Sequence, residues 1–176
     1  MIPRDPLCAE CLDGQTADAS KELNNLKEAL MDRRITTRGI IYKNGKIFAQ
    51  KLKRGEGTTD YWCTPGGGLD PHESLQAGLV REMIEETGVS PEIGKLLYIQ
   101  QYREESGREY LEFFYHITNV EDYETIDLAS TTHGEIEVAE YGFVDPSKTV
   151  VLPKFLQSVD IAKDIESAQV QEFNYL

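Results

Sequence analysis

The stretch GGGLDPHESLQAGLVREMIEETGV, Gly66 to Val89, decides the reading of this chain. Ser74 is a helix N-cap residue type and Gly88 a C-terminal stop, so the spacing predicts a helix from Ser74 to about Thr87. On a helix advancing about 100° per residue, Glu82, Glu85 and Glu86 fall within an arc of roughly 100°. Three carboxylates thus share one face and are expected to meet solvent, while Ala77, Val80, Met83 and Ile84 lie around the other side and are expected to be buried. Gly78 stands one turn before Glu82 on the acidic side, where glycine costs about 1 kcal/mol against alanine. It is expected to leave room for a metal or a phosphate. Carboxylates at these spacings repel one another, and a hard divalent cation would offset that, because magnesium combines one or two protein carboxylates with phosphate oxygens and water. Taken alone, an E-x-x-E-E run reads as a solvated acidic face. Just upstream, Pro65 fixes φ ahead of Gly66, Gly67 and Gly68, three residues that permit a tight loop with a carbonyl turned inward.

The segment also fits a longer pattern: Gly67, five residues, Glu73, seven residues, Arg81-Glu82, apolar Met83, any residue, Glu85-Glu86, any residue, Gly88, apolar Val89. This resembles the Nudix box position by position, and the complete set of matches turns the solvated-face reading into a metal site. The resemblance covers roughly residues 34 to 165, with specificity in the box alone. It implies a Nudix-type α/β/α sandwich with a mixed β-sheet. It also implies hydrolysis of a pyrophosphate linkage in a nucleoside diphosphate joined to another moiety, with magnesium as cofactor and manganese as its substitute. Carried over by motif position, Glu82 and Glu86 are the principal metal ligands, Glu85 a ligand or a catalytic water-positioner, and Gly66 the donor of a backbone carbonyl. Arg81, grouped with the catalytic residues, is expected to pair with Glu85 one turn on or with Glu73 across the loop. The general base in the family is a box glutamate or one from a later loop. Here HGEIEVAEYGF offers Glu137 or Glu135 ahead of the strand around Phe143, and spacing alone favours Glu137.

Outward from the box the chain reads as strands with a few helices. Two β-rich runs between Ile35 and Leu52 hinge at Asn44-Gly45, the dipeptide best suited to a tight hairpin turn. A short strand is expected around Tyr61 to Cys63, with Trp62, three residues before Pro65 where sequences of the resembled family often carry an aromatic, read as core packing. Two further runs after Pro91 join near Ser106-Gly107. A strand follows near Glu140 to Val144, and a final helix starts around Pro153. This order suggests a mixed α/β sheet with helices packed on it. Residues 1 to 33 read as an N-terminal leader and helix, with Leu23, Leu26 and Leu30 at helix spacing, and 34 to 176 as the catalytic domain. That stripe suits either cover for the domain or a homodimer contact. Cys8 and Cys11 form half of a zinc pattern with no second pair, and read as unremarkable thiols.

With 31 acidic and 18 basic residues the net charge is −13, a field that repels polymeric nucleic acid and anionic lipid surfaces. It also repels small phosphorylated molecules unless a cation neutralises the site locally. No apolar run is long enough to cross a membrane, and no secretory, transit or lipidation pattern stands at the start, so a cytoplasmic location and no membrane partner are expected. The expected partner is a small nucleotide, either a nucleoside triphosphate or an ADP-ribose or sugar-nucleotide type. Tyr102, Arg103, Arg108 and Phe114 are candidates to stack on a base or pair with phosphate, or are ordinary strand residues. A rival class, a non-catalytic nucleotide sensor, would ordinarily show lost box glutamates, and all are present.

Overall fold

Asn44 and Gly45 take φ values of 50° and 79°, the two positive angles that a two-residue hairpin turn requires. In this computed structural model, which describes residues 33–176, the turn joins β2 (Tyr42–Lys43) to β3 (Lys46–Arg54), after β1 (Arg33–Ile40). The expected leader and helix, its leucine stripe and Cys8 and Cys11 lie outside the described residues, Arg33 excepted. Short β4 (Gly57–Thr58) and β5 (Trp62–Cys63) follow.

The glycines expected to form a loop are instead a strand, β6 (Gly66–Gly68). It pairs antiparallel with β1, Thr36 opposite Gly68 and Arg38 opposite Gly66. Glycine has little strand propensity of its own, and the open edge of β1 overrides it.

Helix α1 (Leu75–Thr87) begins where its cap predicts: the Ser74 side chain accepts from the Ala77 amide at 3.2 Å, and Gly88 ends it at φ 73°. Ser74→Ala should cost about 1 kcal/mol, a fall in Tm of roughly 2–4 °C. A melting curve unchanged by the substitution would show the cap to be idle.

β7 (Ile93–Arg103) and β8 (Glu109–Ile117) form the second long hairpin. α2 (Gly134–Glu137) leads into β9 (Val138–Val144), antiparallel to β3. After β10 (Val151–Leu152) the chain departs from expectation. A single 3-10 turn spans Lys154–Gln157, α3 (Ile161–Glu166) starts only at its Asp160 cap, and β11 (Gln171–Tyr175) then lies parallel on β7. One sheet runs β11-β7-β8-β1-β6. The other runs β10-β5-β3-β2, with β4 and β9 also on β3.

Successive strand residues point to opposite faces, so Ile40, Ile47 and Phe114 enter one core while Ile41, Phe48 and Tyr115 enter another. The first core is completed by Phe155, Leu156 and Ile161, and the second by Leu79 and Met83 of α1. Helical segments thus cover both sides of a mixed-sheet layer, the expected α/β/α arrangement. Trp62 packs against the first core, with Lys51 Nζ 5.1 Å from its ring centroid. Among the described residues no helix is long and apolar enough to cross a membrane.

Candidate active site

The orientation of α1 corrects the expected division of its faces. Its buried residues are Gly78, Leu79, Met83, Glu86 and Thr87, while Ala77 is exposed and Ile84 is 42% exposed. The acidic arc therefore points partly inward, and Glu86 is only 6% exposed. Space beside Gly78 is not free for metal or phosphate: a Cβ there would overlap Leu69 and stand 2.9 Å from Glu73 Oε2. Gly67 is the glycine that makes room for an acid, because a Cβ there would run into the Glu82 carboxylate.

Glu86 accepts the Gly66 amide at 2.7 Å. Desolvation pushes its carboxyl up to about 7, helped by neighbouring Glu82 and opposed by the Gly66 amide and the charge of Arg38. A buried carboxylate with one backbone donor is a group whose negative charge a cation would stabilise.

Arg81 makes both expected pairings at once. Its guanidinium donates to Glu73 at 2.9 and 3.0 Å, to the Gly68 carbonyl at 2.9 Å, to Glu82 at 2.9 Å and to Glu85 at 3.2 Å. Glu73 in turn receives the Asp70 amide at 3.0 Å, tying the loop to the helix. Arg81 thus braces the acids. The guanidinium stays charged, its pKa held above the ordinary value by Glu73 first, against desolvation. Glu85 also lies 3.3 Å from His133 Nδ1, a neighbour that sequence spacing did not single out. The His133 amide donates to the Glu85 carbonyl at 2.9 Å, so the segment carrying Glu135 and Glu137 docks on the second half of α1. Both of those glutamates are exposed.

The Gly66 carbonyl accepts from Arg38, which also donates to the Thr64 carbonyl at 3.3 Å. Carboxylate and carbonyl oxygens are the hard donors that magnesium prefers, and the residues present fit such an ion in kind. Among the described residues no three acidic, histidine or cysteine side chains already stand together as a ligand set. Arg81 draws Glu82 and Glu85 to itself, and Arg38 takes the Gly66 carbonyl.

Beyond Gly67 and Gly68 opens a cleft of about 590 Å³. Arg34, Arg38, Arg54 and Lys154 line it, with Tyr61, Tyr102, Tyr110 and Tyr175 among its aromatic walls. Four cationic side chains against two acidic ones, Glu104 and Glu112, in a chain of net charge −13 mark a place for an anion. Of the predicted substrate contacts, Tyr102 lines this cleft. Arg103 and Arg108 are not among its lining residues, and Arg103 pairs with Glu109 at 2.6 Å. Phe114 is fully buried and packs edge-on to Phe155, so it is core and meets no ligand. Sequence reasoning missed Arg34 and Arg38. The available signal was their even spacing along β1, which puts both on the face that also carries Thr36.

A family model described as the NUDIX domain matches residues 32–161. Diphosphoinositol polyphosphate phosphohydrolase 2 of Mus musculus is 37% identical over 65 residues, 37% of this chain and 36% of that protein. The chain spans only about a third of the length of the curated relatives first matched. Among solved structures, the E. coli ORF135 protein superimposes with a TM-score of 0.61 at 23% identity, over 79% of this chain and 96% of that one. A UDP-X diphosphatase does so with a TM-score of 0.58 at 19% identity, over 98% and 89%. At these identities the two superpositions speak for the fold.

Proposed function

The chain belongs to the NUDIX domain family, and from that premise we propose that it hydrolyses a pyrophosphate linkage in a nucleoside diphosphate joined to another moiety, with a divalent metal ion. The observation that carries this reading is the junction at Gly67 and Gly68. On one side of it stand Glu82, Glu85 and Glu86, and on the other a cleft lined by four cationic side chains. Glu82 and Glu86, with the Gly66 carbonyl, are the proposed holders of magnesium or manganese, and Glu85 a ligand or water-positioner. The bound ion supplies charge neutralisation at the phosphoryl oxygens and a lower pKa for water.

The chain's own residues do the rest. Arg34, Arg54 and Lys154 hold the phosphates, and Arg81 keeps the acids in register. A carboxylate takes the proton of the attacking water as its oxygen bonds to phosphorus and the bridging P–O bond breaks. Glu137 is the proposed acceptor. Glu137→Gln should lower kcat by roughly 10²- to 10⁴-fold with KM little changed. Turnover surviving that substitution would pass the role to a box glutamate.

The direct test is a panel of nucleoside triphosphates, ADP-ribose, sugar nucleotides and diphosphoinositol phosphates with magnesium at mildly alkaline pH, products identified. Cleavage at a pyrophosphate in a nucleotide is expected. No turnover across the panel would sink the hydrolase reading.

A further inference from the structure

The inner end of the cleft carries a pattern that phosphate binding does not use. Gln100 and Glu112 are directly opposed on β7 and β8, both line the cleft, and they are 6% and 5% exposed. Directly opposed residues hold their Cβ atoms about 5 Å apart. Gln100 Oε1 is buried without a hydrogen-bond partner, an arrangement that costs free energy until something donates to it. Glu112 Oε1 accepts from Thr36 at 3.0 Å and lies 3.7 Å from Arg38 Nε. A carboxylate only accepts and has room for about four hydrogen bonds, so Glu112 keeps capacity for a further donor.

Two residues along each strand, on the same face, the next opposed pair is Tyr102 and Tyr110. Their rings stack with centroids 4.9 Å apart and planes 6° apart, and both line the cleft. Flat aromatic surface therefore stands beside two buried acceptors, with the cations of Arg34, Arg54 and Lys154 lining the same cleft.

We infer that the Gln100–Glu112 pair reads the base of the substrate and selects an edge with two adjacent N–H donors, as guanine has in N1–H and its 2-amino group. Uracil offers one N–H flanked by two carbonyls, and adenine and cytosine one amino group beside a ring acceptor. With Gln100 Oε1 facing the base as in this structure, each would leave one of the two buried acceptors unmatched. A densely phosphorylated cyclitol would set phosphate against the Glu112 carboxylate. The inference rests on reading the cleft as a nucleotide site.

The test is calorimetric titration of GDP, IDP and UDP into the full chain in EDTA, where binding is read without turnover. GDP should bind roughly tenfold tighter than UDP, with IDP, which lacks the 2-amino group, between them. Glu112→Gln should erase most of the GDP preference while changing UDP affinity less than about twofold. Gln100→Leu, which leaves the Glu112–Arg38 contact in place, should do the same. Equal binding of GDP and UDP, or of GDP and IDP, by the unaltered chain would overturn the inference. So would variants that weaken GDP and UDP alike, since these share ribose and diphosphate. Turnover in the magnesium panel without base preference removes this inference and spares the hydrolase reading. Selective GDP binding without turnover does the reverse.

Discussion

Glu86→Gln is expected to lower turnover in magnesium roughly a thousandfold, the loss of several kcal/mol of charge stabilisation, and yet to make the metal-free protein more stable at pH 8. The second effect follows from burial. The folded carboxyl sits near pH 7 against 4.5 for the free group, so the folded chain binds this proton more tightly than the unfolded one. Stability contributed here is fully present below about pH 4.5 and falls as pH rises towards 7. Above that the ionised, metal-free carboxylate costs on the order of 3 kcal/mol. Glutamine carries no charge and can still accept the Gly66 amide. Melting in EDTA across pH 4 to 8 should show the variant and the parent converging at the acid end and separating above neutrality, the variant higher. Added magnesium should raise the parent's Tm and leave the variant's almost unmoved. A variant no more stable than the parent at pH 8 in EDTA would mean that Glu86 is not strained by burial.

Gly66→Ala should destabilise the fold itself, by about 3 kcal/mol or more, with activity lost in parallel. Gly66 has φ 118°, a conformation that side chains rarely adopt, and a Cβ there would overlap the Thr37 carbonyl oxygen and stand 3.0 Å from Arg38 Cα. These are backbone atoms of a paired strand and cannot swing aside. Gly67→Ala is the informative contrast. Its Cβ meets the carboxyl end of Glu82, which can rotate away, so stability should change far less than activity. Urea unfolding of the two variants separates the cases, and equal losses for both would place the constraint at Gly67 in the backbone too.

The parts of the fold with their own local chemistry were legible in the sequence. Asn44-Gly45 names its turn, and Ser74 and Gly88 name the ends of α1, because each acts on atoms only a few residues away. What depends on distant partners was not legible. Gly66 to Gly68 are a strand only because β1 is there to pair with, and β11 exists only against β7. The angular grouping of Glu82, Glu85 and Glu86 followed from helix geometry, whereas the side that faces inward is set by packing of Leu79 and Met83. For the same reason Phe114 looked available and is core, while Gln100 and Glu112 become neighbours only through the β7–β8 register.

Arg38 reaches in two directions. Its guanidinium donates to the carbonyls of Thr64 and Gly66 beside the acidic helix, and lies 3.7 Å from Glu112 at the inner end of the cleft. Burial disfavours its charge, and the neighbouring acids, Glu112 foremost, more than offset this, so it stays cationic. One side chain therefore belongs to two trades at once, and a change at Glu112 is felt at both. Along a lineage of descendants, a substitution that altered preference at Glu112 would reach the rate through Arg38, and compensating changes would be sought on both banks.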